Sequence, residues 1–160
     1  MTTVTHSASG LRLAVPPGWE AVIDAGAPVV LASPLGLGQT SHFRPNIVAT
    51  VERPPAAMTS MAAYTDSSIN IMRRMLTGFH VIAIDDIFID GHDGHRVLCG
   101  YQSGIYAVAA ECWWTVANGV ATALTASCQV EDYLDVVPVS EEVAAGMVPA
   151  ARVPLPGAAG

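Results

Sequence analysis

Residues 95–127 read HRVLCGYQSGIYAVAAECWWTVANGVATALTAS, and the pair Asn118-Gly119 within them decides how the rest is arranged. A two-residue hairpin loop needs positive φ, which Asn and Gly tolerate. Pairing outward from that loop sets Trp114 opposite Ala123 and Trp113 opposite Leu124. With Ser103-Gly104 as the preceding two-residue turn, Arg96 lies opposite Glu111 and Cys99 opposite Val108. Side chains alternate along a strand. One face therefore carries Val97, Cys99, Tyr101, Tyr106, Val108, Cys112, Trp114 and Val116, and the other Leu98, Ile105, Ala107, Trp113, Val120 and Leu124. Both faces are apolar. A sheet wet on one side alternates apolar with polar, so this one is expected to be covered on both.

Working outward, β-rich runs at 81–89, 95–102, 105–116 and 120–127 form an antiparallel meander. Upstream, 59–77 carries Met61, Tyr64, Ser68, Ile71 and Met75 at three-four spacing, the face of a helix that Thr59 or Ser60 caps and Gly78 ends. Short strands are expected at 11–15, stopped by Pro16-Pro17-Gly18-Trp19, at 29–33, and at 46–53 before Pro54-Pro55. Residues 34–45 are rich in Gly, Pro, Ser and Thr without a period and read as an exposed loop. A second, shorter helix is expected after Ser140, where Glu141 and Glu142 suit a helix N-terminus. The fold class is α+β: an antiparallel sheet of about six or seven strands, ending in a meander, with helices and loops on both faces. One domain is expected over 10–148, with disordered ends at 1–9 and 149–160.

Composition narrows the function classes. All seven basic residues are arginine, against fourteen acidic ones, for a formal net charge of -7. Arg73-Arg74 is the one adjacent basic pair, too little clustered charge for a phosphate backbone, so no nucleic-acid partner is expected. No run approaches the roughly 18–20 apolar residues of a membrane span, and 1–9 lacks the pattern of a secretory signal. Cys99, Cys112 and Cys128 form no Cys-x-x-Cys pair. Cytoplasmic residence and free thiols are the expectation, with Cys99 and Cys112 separated by roughly 13 Å along the proposed register.

The motifs that suggest chemistry each have a plainer reading. Gly36-Leu37-Gly38 follows a strand, but Ser41 stands where a third glycine belongs and Pro45 leaves no helix to receive a pyrophosphate, so no cofactor is expected. The run from Asp90 to His95 gathers two Asp and two His, yet its two glycines suit a hairpin connection and no second close-set ligand cluster exists, so no metal is expected. Ser103 is displaced by one residue from a nucleophile elbow, and the cysteines lie on strands as small apolar residues. Arg96 and Glu111 read as a cross-strand structural pair. Adjacent Trp113 and Trp114 point to opposite faces, so at least one is core. Phe43 and Arg44, in a segment too rich in Gly and Pro for core, are candidate partner-binding residues together with Trp113 and Trp114.

The order of elements resembles the PsbP-like superfamily, which includes the DcrB proteins and the actinobacterial LpqN lipoprotein family. The resemblance rests on Leu13-Ala14-Val15-Pro16-Pro17-Gly18-Trp19, Phe43-Arg44-Pro45-Asn46-Ile47-Val48, the helix from Thr59, Asp90-Gly91, Trp113-Trp114 and Leu124-Thr125-Ala126-Ser127, and spans residues 10–142. It implies a PsbP-like fold and a binding or accessory role, as in photosystem assembly subunits, a nuclear-transport factor and chaperones that hold hydrophobic segments of secreted proteins. LpqN-type proteins carry a lipidated cysteine near the N-terminus, which this chain lacks. The resulting expectation is a non-enzymatic protein-binding or chaperone-like adaptor, accessory to a bacterial secretion or envelope system. Its partner is a secreted protein, a hydrophobic segment or a second copy. The alternative is a carrier of small apolar molecules.

Overall fold

Asn118 and Gly119 take φ of 54° and 72°, and the hairpin around them pairs Trp113 with Leu124 and Trp114 with Ala123, the register that the two-residue loop requires. The computed structural model describes residues 1–34 and 43–155. Nine strands are described: β1 (Thr2–His6), β2 (Leu11–Val15), β3 (Glu20–Ile23), β4 (Val29–Ala32), β5 (Asn46–Glu52), β6 (Thr77–Ile89), β7 (His92–Ser103), β8 (Tyr106–Ala117) and β9 (Val120–Gln129). The helices are α1 (Met61–Met75) and α2 (Tyr133–Ala145). Seven strands form one antiparallel sheet in the order β3-β4-β5-β9-β8-β7-β6, and β1 and β2 form a separate hairpin. The glycine motif Gly36-Leu37-Gly38 and most of the 34–45 loop lie outside the described residues, as do 156–160.

The sheet is covered on both faces, as its two apolar faces require. On one, Tyr64 and Ile69 of α1 pack against Val97, Cys112, Trp114, Ala121 and Ala123. On the other, Leu11 and Leu13 of β2 and Val143 and Ala144 of α2 pack against Trp113, Leu124 and Ala126. Fully burying one side chain of this size is worth about 1.5–3 kcal/mol, so the two tryptophans hold one cover each.

The β7–β8 turn differs from the sequence expectation. Ser103 pairs with Tyr106, so the loop residues are Gly104 and Ile105, with Gly104 at φ 59°. The register moves by two, an even step that leaves every side chain on its expected face. Arg96 therefore faces Trp113 across the ladder and reaches Glu111 diagonally, while Asp85 of β6 lies directly opposite it. The ion pair to Glu111 forms, and Arg96 Nη1 donates to Asp85 Oδ2 at 2.7 Å.

The same step places Cys99 opposite Ala110 and Cys112 opposite Val97, diagonal neighbours rather than residues 13 Å apart. The Cys99 thiol donates to the Ala110 carbonyl at 3.5 Å, and the closeness of the two thiols lowers the Cys99 pKa and, with burial, raises that of Cys112. Burial beside Asp132 and Glu111 pushes Cys128 up to about 12. All three are buried free thiols. Diagonal Cα atoms lie about 7–8 Å apart, beyond the reach of an unstrained disulfide. We expect slow reaction of the native protein with an aromatic disulfide reagent and release of all three thiols on unfolding; recovery of one alone would show that Cys99 and Cys112 had closed.

Further elements depart from expectation. The ordered chain begins at Thr2, where β1 pairs along β2 from Thr2↔Val15 to His6↔Leu11, and not at Gly10. At the other end Ala150 is buried and its N–H donates to Thr122 Oγ1 at 3.0 Å, so the described part of the tail is tied to the sheet. Helix α2 begins at Tyr133, before Ser140, and runs through Pro138. In α1, Ser60 caps the first turn by accepting from Ala63 N–H. The buried residues there are Tyr64, Thr65 and Ile69, while Ile71 and Met75 of the expected stripe are exposed.

Candidate partner-binding surface

Neither tryptophan is on the surface: Trp113 and Trp114 are 4% and 3% exposed. Arg44 is exposed at the base of the β4–β5 connection, where its Nε donates to the Ser33 carbonyl at 2.7 Å and its guanidinium lies 3.8 Å from Glu20. Phe43 beside it is half-buried. The four residues singled out from sequence do not converge. Both indoles are core, one on each side of the sheet, and Arg44 is held locally.

Three of the exposed large apolar side chains lie instead together on β6, at the end of the strand order. Its sequence, TGFHVIAIDDIFI, leaves Ile82, Ile84 and Phe88 exposed, Phe88 to 78%. The ladder to β7 is irregular at Thr77/His80 and Val81/Ala83 and regular from Ala83 to Ile89. As the end of the strand order, β6 presents one edge of backbone N–H and C=O groups without a neighbouring strand among the described residues. Natural edges of this length are commonly blunted by Lys, Pro, bulges or charges. Here the bulge falls in the first half, and the regular half carries Asp85 and Asp86.

Beside that half lies a cleft of about 480 Å³ between the first turn of α1 and the β6–β7 hairpin, lined by Met61, Asp86, Ile87, Phe88, Asp93 and His95. Asp90 and Gly91 take φ of 50° and 78° and form the turn, as the sequence predicts. His92 and His95, three residues apart on β7, point to opposite faces. Among the described residues no group of three or more His, Cys, Asp or Glu gathers to hold a metal ion.

A chain of hydrogen bonds runs inward from His95 and Asp86 in the wall of the cleft. Trp114 Nε1–H donates to Thr65 Oγ1 at 2.8 Å, Thr65 Oγ1 lies 2.7 Å from His95 Nδ1, and His95 Nε2 lies 3.0 Å from Asp86 Oδ1. An indole N–H can only donate, so the Thr65 oxygen accepts from it; in the imidazole tautomer that points its N–H at Asp86, Thr65 gives its own proton to Nδ1. Carboxylate, imidazole and hydroxyl in series is the arrangement that activates a nucleophile. The Thr65 hydroxyl, however, belongs to a residue only 3% exposed that does not line the cleft. A second such chain joins Ser9 Oγ to His6 Nδ1 at 2.7 Å and His6 Nε2 to Asp24 at 3.0 Å, with Ser9 fully buried. These are ties: the first fastens α1 to β7 and β8, the second fastens the β1–β2 hairpin to the end of β3.

The architecture is shared with solved structures of low sequence identity. LpqN, involved in cell envelope biogenesis of Mycobacterium tuberculosis, superposes with a TM-score of 0.71 at 13% identity, over 93% of this chain and 90% of that one. The cyanobacterial PsbP of Synechocystis sp. PCC 6803 gives 0.68 at 14%, over 92% and 91%. This chain has a PsbP-like fold. PA94 of Pseudomonas aeruginosa, a protein of unknown function described as a putative regulator, gives 0.65 at 16% over 86% and 90%. No family model matches the chain, and no curated protein does. Among the described residues no helix is long and apolar enough to cross a membrane.

Proposed function

We propose that this PsbP-like domain is a non-enzymatic binding module that takes an extended, apolar segment of a partner protein along β6, in the manner of a chaperone-like adaptor. The observation that carries this reading is a regular edge half-strand, residues 83–89, with Ile84 and Phe88 exposed beside the 480 Å³ cleft. An added strand gains affinity from main-chain hydrogen bonds and specificity from alternate side chains, and the cleft beside Phe88 offers a place for one of them. Asp86 and Asp93 in the cleft favour a segment bearing a basic residue, while Asp85, on the opposite face of the strand, is held by Arg96.

Pairing with a second copy centred on the same stretch sets the Asp85-Asp86 pairs of two chains against each other, and like charges directly opposite are destabilising, so the partner is a different protein. A carrier of small apolar molecules needs a closed apolar cavity, whereas this cleft is flanked by two carboxylates and an exposed ring. A place in a bacterial secretion or envelope system is supported by the likeness of fold to LpqN, an analogy of architecture alone.

The test is hydrogen exchange and affinity measurement with acetylated heptapeptides that alternate Val or Ile with Lys. We expect slowed exchange of the 83–89 amides and about tenfold weaker binding in Phe88→Asp, which is about 1.4 kcal/mol. The Phe43→Ala, Arg44→Ala double variant should bind normally. Unchanged exchange over 83–89 would remove β6 as the site, and loss of binding in the double variant would return it to the β4–β5 connection.

A further inference from the structure

A second depression, of about 340 Å³, runs along α1. One wall is the helix stripe Tyr64, Ser68, Ile71 and Arg74, and the other is the 52–58 segment with Arg53 and Met58. From 64 to 74 the stripe is about 15 Å long, at roughly 1.5 Å per residue. Ile71 sits in it 45% exposed, although its spacing in the sequence marks it for core. Ile71 and Met58 give the groove its apolar lining.

Its ends are cationic. Arg74 closes the end at the C-terminus of α1. Arg53 is on the facing wall toward the Tyr64 end, next to Glu52, which accepts from Tyr64 Oη at 2.7 Å, and its Nη1 lies beside the Gly119 turn. Both arginines are exposed, and neither takes part in the ion pairs found among the described residues. Glu52 is the one carboxylate of the lining, so the groove keeps net positive charge in a chain of net charge -7. Arg74 also complements the helix dipole from the last turn of α1, but Arg53 follows β5 and has no such role. Neighbouring Arg73 is engaged elsewhere, with Asn70 at 3.4 Å and over the ring of Phe79 at 6.0 Å.

We infer that this groove receives a short acidic peptide segment of a partner protein, extended along α1 with a carboxylate at each end and apolar side chains between. Fifteen ångströms corresponds to about four or five extended residues at roughly 3.3 Å each. A guanidinium matches a carboxylate with two parallel hydrogen bonds, so Arg53 and Arg74 in one lining favour a segment with acidic residues on either side of its apolar ones. The charge preference is opposite to that of the β6 cleft, and the two surfaces stand independently.

The test is an NMR titration of the ¹⁵N-labelled protein with the acetylated, amidated hexapeptide EALLAE, its uncharged counterpart QALLAQ, and phosphatidylglycerol vesicles. We expect EALLAE to give saturable shifts at Tyr64, Ser67, Ile71 and Arg74, and QALLAQ to bind at least about fivefold more weakly. Arg53→Gln and Arg74→Gln should each weaken EALLAE at least about fivefold, while Arg12→Gln and Phe88→Asp leave it unchanged. Both groove arginines are exposed, so wild-type melting temperatures in these variants separate lost binding from lost fold. Absence of saturable shifts up to about 5 mM, equal binding of QALLAQ, or binding of vesicles alone would overturn the assignment.

Discussion

Replacing Arg96 by alanine should cost about 3–5 kcal/mol of folding stability at neutral pH, because it strands a buried carboxylate. Glu111 is 2% exposed, in the middle strand of the meander beneath α2, and Arg96 reaches it diagonally while Asp85 holds the guanidinium from the other side. Burial raises the Glu111 carboxyl above its ordinary range. Arg96 opposes that rise, and Glu141 and Asp85 add to it. Without Arg96 the rise is unopposed. A carboxyl raised in the folded state keeps a proton that the unfolded chain releases, so stability falls as pH climbs from the unfolded value, about 4.3, through the raised folded one. The deficit of Arg96→Ala should thus be small near pH 4 and full above the raised value. Adding Glu111→Gln should recover part of it. Urea denaturation of the three proteins at acid and neutral pH measures this, and a deficit independent of pH would mean that Glu111 is not the stranded charge.

The meander was legible because its strongest local signal is chemical: Asn118-Gly119 accepts positive φ at both positions and so fixes a register on its own. Gly104 is ambiguous by the same physics. A glycine serves equally as the second loop residue of one hairpin turn or the first of its mirror-type alternative, and the backbone uses it as the first, with Ile105 next. The faces survived the error and the cross-strand partners did not, which is why the Arg96–Glu111 pair was foreseen with the wrong geometry and the closeness of Cys99 and Cys112 was missed.

Helix α2 was hidden by Pro138, which reads as a breaker. Its cost is moderated in the structure, where Pro138 and Leu134, the residue one turn before it, are both exposed to solvent. Strand β3 was hidden because all four of its residues are exposed, leaving no alternation to detect. The candidate surface was illegible for a related reason. In the run 81–89 a core-facing Val81 and an exposed Ile82 or Phe88 have the same chemistry, and only the position of β6 at the end of the strand order separates them. Large aromatics in a loop looked like anchors, while the exposed ring sits on a strand that reads as core.

Trp114→Ala should cost about 3–5 kcal/mol, the range for truncating a buried aromatic. The indole is 3% exposed, meets the Tyr64 ring edge-on at 5.8 Å between centroids and 81° between planes, and donates to Thr65 Oγ1. Two further variants divide that cost. Trp114→Phe keeps most of the ring packing and removes the donor, for about 1–2 kcal/mol. Thr65→Val keeps the shape and removes the acceptor, leaving the indole N–H without its partner and His95 Nδ1 without its donor, for about 1–3 kcal/mol. Because Thr65 and Trp114 share one bond, the Thr65→Val, Trp114→Phe pair should cost less than the sum of the single changes. Thr65→Val should also loosen His95, and with it the wall of the cleft beside Phe88, so peptide affinity along β6 should fall further than in a core variant of equal stability cost on the opposite face, such as Val143→Ala. A cost below about 1 kcal/mol for Trp114→Ala would mean that the indole is not core. The surface role that the sequence allowed it would then stand.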